Sequence, residues 1–500
     1  MKNTATTKMK FLIAVMAIAS FANAVCAQGT LAPQTGTMKG AVLKGRAPVN
    51  KEILRVKLPK AQEATLKNGL RVVVLESHRV PTFSMEMVVM SGGLSDPADL
   101  HGLAGATATL LREGTAKHNS RELAEQLDTI GATIGASSGL SSFTSNITAA
   151  GLVENFDQVL DLFAEVVRTP KFPTEEVERY RSRTLSGQPL VRGQAAFLAQ
   201  ERLNQAIYGT HPASLVLPPA DAIKKMTVAD LTKFHDENYL PNNAMLAIVG
   251  DVTLREILPK LERAFGDWKA GAAPKTVIPA APAQNVAKIY LINRPGSVQT
   301  VFQIGALGIE RTDPDYAAMA VMNRILGGGG SSRLFLNIRE DKSYAYSVGS
   351  SFNSSKYRGT FVANAPVRTD ATEGALREFM YEFNRIRNEK VSANELDNAK
   401  RSIVGGFALS LENPGQLLQN IITQKLYNMP ANYWDTYPQK VEAITVDDVQ
   451  RVAQKYIDLG HLQIVAVGDA TKTREVLAKF GTVVEYDSDG KPVRTAATKQ

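Results

Sequence analysis

Ile248-Val-Gly-Asp-Val-Thr-Leu-Arg-Glu-Ile-Leu258 returns later in the chain as Val467-Gly-Asp-Ala-Thr-Lys-Thr-Arg-Glu-Val-Leu477. Thr174-Glu-Glu-Val-Glu-Arg-Tyr-Arg-Ser-Arg183 returns as Ala393-Asn-Glu-Leu-Asp-Asn-Ala-Lys-Arg-Ser402, and Ser141-Ser-Phe143 returns as Ser350-Ser-Phe352. The echoes keep their order and lie 209–219 residues apart. Self-similarity at a fixed period marks a duplicated structural unit. Two homologous tandem domains are therefore expected, at 61–268 and 288–486, joined by a Pro/Ala-rich linker over 269–287.

Each half mixes strands with helices. Asn68-Gly69 is a strong hairpin-turn pair ahead of the apolar Leu70-Arg-Val-Val-Val-Leu75, and Ser84–Met90 alternates as a half-buried strand does. Ser95-Asp96-Pro97 supplies a capping side chain and a proline suited to a first turn, so a helix is expected to start there. Leu100, Leu103, Thr107, Leu110 and Leu111 are its core-facing stripe. Further helices are expected over 120–130, 154–168, 174–185, 227–237 and 254–265. The fold class is α+β, an antiparallel sheet in each domain covered by helices on one side.

The chain has 500 residues and a formal net charge of +8. Met1-Lys2, Lys8 and Lys10 precede the short apolar run Phe11–Ser20, and Val25-Cys26-Ala27 follows, which reads as a secretory signal peptide (1–27) cleaved after Ala27. A lipoprotein reading on Cys26 lacks the usual Leu-x-Gly/Ala context. Cleavage would remove the only cysteine, leaving no disulfide, and three lysines, leaving +5. That mild excess, with no dense Lys/Arg run, argues against nucleic acid as a partner. No later segment is long and apolar enough to span a bilayer. Residues 28–60 read as an extended leader and 487–500 as a flexible tail.

The stretch Gly102-Leu-Ala-Gly-Ala-Thr-Ala-Thr-Leu-Leu-Arg-Glu-Gly-Thr115 is informative for what it lacks. It resembles G-L-A-H-x-x-E-H-x-x-x-x-G-T, the metal helix of the insulinase/pitrilysin/mitochondrial-processing-peptidase family. Positions i, i+3 and i+4 share a helix face and can present two imidazoles and a carboxylate to one ion. Here they are Gly105, Ala108 and Thr109, a hydrogen, a methyl and a hydroxyl. Zinc takes imidazole, thiolate or carboxylate ligands. The resemblance extends over residues 60–485, through Phe172-Pro-Thr-Glu-Glu-Val-Glu, Tyr208-Gly-Thr-His-Pro212, Tyr239-Leu-Pro-Asn-Asn-Ala244, Phe265-Gly-Asp-Trp268, Ile325–Phe335 and Ile338–Val348. The family's downstream acidic frame falls on Tyr180–Gly187, so both glutamates are absent, Gly187 standing at one of their positions. The histidines 78, 101, 118, 211, 235 and 461 are scattered.

The resemblance implies half of a peptidase clamshell with no metal bound by this chain. It also implies that Arg339 and Tyr346 match the family's arginine–tyrosine pair, which reaches substrate from the second domain. Arginine's donor fork and tyrosine's phenol suit a peptide carbonyl and the oxyanion it becomes. The alternative reading is that Arg339 pairs with Glu340 or a neighbour while Tyr346 packs in the sheet, and Tyr344 lies two residues earlier on the same strand face. Gly327–Gly330, with Gly328 and Gly329 at its centre, is expected to form a tight turn, with peptide contact as a secondary role. The segment Ile130–Ser145, including Ser142 and Phe143, matches the substrate-pairing edge strand. The expected partners are a homologous subunit with an intact H-x-x-E-H, which would hold the zinc, and unfolded peptides. The expected role is a noncatalytic, exported subunit. The alternative is a non-proteolytic peptide-binding or scaffold protein.

Overall fold

The computed structural model describes Val56 and residues 58–493. The expected signal peptide and most of the leader lie outside the described residues. The strands β1 (Gln62–Thr65), β2 (Arg71–Glu76), β3 (Thr82–Val89), β4 (Thr133–Ser138), β5 (Ser145–Leu152) and β6 (Ala244–Gly250) form one sheet, in the order β1-β2-β6-β3-β5-β4. The strands β7 (Lys288–Asn293), β8 (Gln299–Leu307), β9 (Gly349–Phe352), β10 (Thr360–Arg368), β11 (Gln463–Gly468) and β12 (Val483–Tyr486) form a second, in the order β12-β7-β11-β8-β10-β9. The last five positions of the two orders correspond strand for strand, so the duplication read in the sequence is a duplication of topology. Most pairs are antiparallel, as expected, but β2–β6, β7–β11 and β7–β12 are parallel. The outer edge is built differently in each repeat. The preceding β1 adds antiparallel to β2, whereas the following β12 adds parallel to β7.

Central strands are buried on both faces and read as continuous apolar runs, as in Ala244-Met-Leu-Ala-Ile-Val-Gly250, where every residue is buried. The Asn68-Gly69 turn forms as expected. Gly69 has φ +90°, and the Asn68 side chain accepts from the Leu70 amide at 3.2 Å. Helix starts are repeated too: Thr227 with Asp230 and Thr445 with Asp448 make the same reciprocal capping pair, in which side chain and backbone satisfy each other's orphan groups. The expected helix over 174–185 runs on to Arg192 and is followed by another at Ala195–Tyr208.

Helices do not cover one side only. Each repeat's own helices bury one face of its sheet, and the opposite face is covered by a helix from the other repeat. Leu198, Ala199, Leu203 and Ile207 of the helix Ala195–Tyr208 pack on Tyr290, Ile292, Leu307, Val465 and Val467 of the second sheet. Leu417, Leu418, Ile421 and Ile422 of the helix Pro414–Leu426 pack on Val73, Leu75, Val88, Met245, Ala247 and Val249 of the first. Gln419 Nε2 adds a polar tie to the buried Glu86 at 2.5 Å. The two repeats are thus mutually capped.

The linker 269–287 carries no regular structure. Residues 487–493, expected to be loose, turn back on β12, where Asp487 donates its amide to the Lys491 carbonyl at 3.0 Å and Gly490 accepts from Arg202 at 2.9 Å.

Candidate functional site

The degenerate helix begins later than its sequence suggests. It runs Leu103–Leu110, because Gly102 before it holds φ +100°, outside the helical region, and a Cβ there would lie 2.6 Å from Pro218. Asp96 still caps it, from a distance in sequence: its carboxylate accepts the amides of Gly102 at 2.6 Å and Ala104 at 2.8 Å. Burial pushes the Asp96 carboxyl up to about 7, against the pull of these amides. Of the expected stripe, Leu103, Thr107, Leu110 and Leu111 are buried, and Leu100 packs partly buried against them.

The three positions that match the metal ligands offer no donor set, and Ala108 alone of them is buried. A Cβ on Gly105 would stand 3.1 Å from the Ser138 carbonyl oxygen of β4. Ala108 is 0 % exposed. The Thr109 hydroxyl donates to the Gly105 carbonyl at 2.8 Å, so its only proton is spent on its own helix. Helix Thr174–Arg192 meets this region through Pro218, whose carbonyl accepts from Gln188 at 2.8 Å while its ring abuts Gly102. On that helix Gly187 faces open space and Tyr180 packs against the core, where burial raises its phenol. These residues do not fit a zinc ion. Among the described residues no group of three His, Cys, Asp or Glu side chains is placed to hold a metal. Four of the six histidines have other tasks: His118 binds the buried Glu165 at 3.0 Å, His235 the Val167 carbonyl at 2.9 Å, and His78 and His461 pair with Asp251 and Asp458.

Beside the degenerate helix lies β4, the end strand of its sheet, with β5 on one side only. Arg112 Nη1 donates to the Ile134 carbonyl at 2.9 Å and so protects part of that edge. Ser142 and Phe143 are not on the edge strand. They sit in the β4–β5 turn, where Phe143 is 7 % exposed, packs edge-on against Tyr427 at 5.9 Å and lies under Lys356. The Ser142 hydroxyl donates to the Thr144 carbonyl at 2.7 Å, and nearby Tyr357 donates to the Ser141 carbonyl. This turn joins the two repeats, which the local sequence could not reveal.

In the second repeat, Arg339 and Tyr346 come together. Arg339 lies in a π-helical turn, Phe335–Asp341, and Tyr346 follows in an irregular segment before β9 rather than in a strand. The Arg339 guanidinium carbon is 5.1 Å from the Tyr346 ring centroid and 4.6 Å from that of Phe335. Arg339 Nε also faces Glu340 at 3.4 Å, a contact with both side chains partly exposed. Tyr346 is 84 % exposed. Tyr344 takes the packing role instead: it is half-buried, and a Cβ on Gly374 would lie 2.8 Å from its ring. Phe335 carries no motif of its own and went unread in the sequence, its only signal being its place four residues before Arg339.

The glycine run is a tight turn held by packing. The amides of Gly327 and Gly328 donate to the Asn323 carbonyl, closing the helix Tyr316–Leu326, and the Gly328 carbonyl accepts from Arg324. A Cβ on Gly327 would collide with Ser350 at 2.3 Å, and one on Gly329 would meet the Arg324 guanidinium at 2.7 Å. Gly330 is exposed.

The comparisons with known proteins agree with this architecture. The family model described as insulinase (peptidase family M16) matches residues 71–217, and that described as the peptidase M16 inactive domain matches residues 225–403. An uncharacterized zinc protease of Streptomyces coelicolor is 26 % identical over 407 residues, spanning 79 % of this chain and 86 % of its own. A probable mitochondrial-processing peptidase subunit beta of Arabidopsis thaliana is 24 % identical, spanning 82 % of this chain and 78 % of its own. A crystal structure of a peptidase M16 inactive domain from Pseudomonas fluorescens superposes with a TM-score of 0.76 at 28 % identity, covering 82 % of this chain and all but a little of its own, 98 %. The periplasmic protease PqqL of Escherichia coli shares the fold, with a TM-score of 0.70 at 17 % identity over 84 % of this chain and 49 % of its own. With its two repeats, its degenerate metal helix and these matches along most of its length, the chain belongs to the insulinase (M16) peptidase family.

Proposed function

We propose that this chain is a noncatalytic subunit of a two-chain exported zinc metallopeptidase. It binds unfolded peptide and presents Arg339 and Tyr346 to a peptide carbonyl in the active site of a homologous partner carrying H-x-x-E-H. One observation carries the reading: the two repeats have diverged in opposite directions. The first repeat's ligand positions carry no imidazole or carboxylate: Gly105 is crowded by Ser138, Ala108 is buried, and the Thr109 hydroxyl donates to its own helix. The second repeat keeps an arginine beside an exposed tyrosine. In this reading the partner holds the metal and the general base, and Gly328, Gly329, Ser142 and Phe143 shape the wall along which peptide lies. The leading segment ending at Ala27 motivates export to the periplasm.

A second reading, a non-proteolytic peptide-binding or scaffold protein, draws support from the same ligand-free helix, most of whose residues pack as ordinary core. The test is peptide cleavage by the purified chain, alone and mixed with an intact-motif homologue from the same organism, with zinc measured in both. Cleavage only in the mixture, with zinc in the partner, is expected. Cleavage by the zinc-loaded single chain would overturn the proposal. No association and no cleavage in any mixture would favour the scaffold reading.

A further inference from the structure

The arginine at the second-repeat site is held in an unusual way. The Arg339 side chain makes no hydrogen bond to the described residues, and its one ionic contact, Nε to Glu340, is a long one at 3.4 Å. Its guanidinium instead lies over two rings, Phe335 at 4.6 Å and Tyr346 at 5.1 Å. A cation–π contact engages the charge of a guanidinium without consuming any of its five N–H donors. An arginine held by rings is therefore restrained yet keeps its fork free for a ligand, whereas one held by a bidentate carboxylate would have that fork occupied. Arg333, in the same segment, is the contrast: its Nε and Nη2 bind Glu395 at 2.7 and 3.2 Å.

The two rings differ in how firmly they are themselves placed. Tyr346 is almost wholly exposed, so it restrains little alone. Phe335 packs half-buried against the core of the second repeat, and it lies next to the exposed end of the glycine run, where a Cβ built on Gly330 would be 3.8 Å from its ring. Both Phe335 and Arg339 belong to the π-helical turn Phe335–Asp341, a form that recurs at functional sites. The turn is closed by the amides of Lys342 on Asn337, Tyr344 on Ile338 and Ser343 on Arg339, with Ser343 at φ +54°.

We infer that Phe335 is a positioning residue for Arg339. It holds the guanidinium against Tyr346 with its donors unspent, while Glu340 draws on the Nε side and leaves the two terminal nitrogens for a carbonyl or carboxylate oxygen. The inference rests on the reading of Arg339 as the group that meets the substrate carbonyl.

The test uses the full chain and two readouts. The first is the Nε–Hε resonance of Arg339, assigned with Arg339→Lys, because a proton over an aromatic ring is displaced by the ring current. Phe335→Leu should move this resonance, whereas Phe335→Tyr and Tyr346→Phe, which keep both rings, should leave it in place. Phe335→Met, which keeps most of the buried volume, reads the same loss if the leucine variant folds poorly. The second readout is kinetic, in the mixture with the metal-bearing homologue: Phe335→Leu should lower kcat about two- to five-fold with KM nearly unchanged, and Phe335→Tyr should restore it. An unmoved resonance in Phe335→Leu and Phe335→Met overturns the inference. So does a Phe335→Tyr variant as impaired as Phe335→Leu, since that would mark mere packing. Absence of cleavage in every wild-type mixture sinks the subunit reading and any catalytic sense of the positioning. The resonance would still report whether Phe335 holds the arginine.

Discussion

The Arg339 guanidinium lies 5.1 Å from the ring of Tyr346, seven residues on, while Tyr344, two residues nearer, is turned away to pack against Gly374. One tyrosine of the pair is structural and the other is free, and the free one stands beside the arginine. An exposed phenol next to a partly exposed guanidinium has little to contribute to folding, since surface contacts of this kind are worth about 1 kcal/mol or less. Removing either side chain therefore isolates function from stability.

The first prediction uses that separation. In the reconstituted peptidase, Arg339→Ala should reduce kcat by about a hundred-fold or more, the scale on which loss of one oxyanion donor acts. Tyr346→Phe should reduce it less. Urea midpoints of both variants should match the parent. A large fall in the midpoint would mean that the pair serves the fold instead.

The degenerate helix should resist repair. Ala108→Glu places a carboxylate where the parent side chain is 0 % exposed, and should destabilise the chain by about 2–4 kcal/mol. Restoring all three positions as Gly105→His, Ala108→Glu and Thr109→His should still leave weak zinc binding, because Gly187 offers no third ligand and Ser138 crowds position 105. Calorimetric titration with zinc checks this. Tight stoichiometric binding would show that the site is merely unfurnished rather than closed.

Mutual capping should make unfolding a single event. Leu203→Ala and Leu418→Ala remove buried side chains from the two exchanged helices and should each cost about 2–4 kcal/mol. Because each helix covers the other repeat's sheet, intrinsic fluorescence and circular dichroism should report one coincident transition in both variants. A first repeat expressed alone as 61–268 would expose the face of Val73, Leu75, Val88, Met245 and Val249, and should aggregate. Two separated transitions in the full chain would contradict the exchange.

Acid stability should depend on Glu395. Burial disfavours its charge, but the paired donors of Arg333 and the Ser392 capping contacts outweigh that, holding the carboxyl at about 2. Its folded value is depressed, so the stabilisation is fully present above the ordinary glutamate range and is lost as pH falls from about 4.5 toward 2. Asp96 acts in the opposite sense. Its folded value is raised to about 7, so the folded state holds the proton longer and stability declines as pH rises from about 4 to 7. Urea midpoints across this range should show Glu395→Gln flattening the acid limb and Asp96→Asn flattening the decline toward neutrality. Unchanged profiles would remove both residues from the account.

Much of this protein was legible in its sequence, because the relevant signals are local or periodic. The echoed segments around Val249-Gly-Asp251 and Val467-Gly-Asp469 announced two copies of one topology. Residues at i, i+3 and i+4 on one helix announced that the metal positions hold no ligand, since the identity of a side chain bounds its chemistry wherever it lies. What depends on distant chain segments was hidden. No property of Ala195–Tyr208 or Pro414–Leu426 shows that each helix crosses to the other repeat, because an amphipathic helix buries its apolar face equally well against any complementary sheet. Ser142 and Phe143 matched an edge strand by motif, yet a contact with Tyr427 fixes them at the junction of the repeats. Tyr346 was already singled out by its match to the arginine–tyrosine spacing, but that Tyr344 is the one to pack was tertiary, since a neighbouring helix offers Gly374 as a place for it.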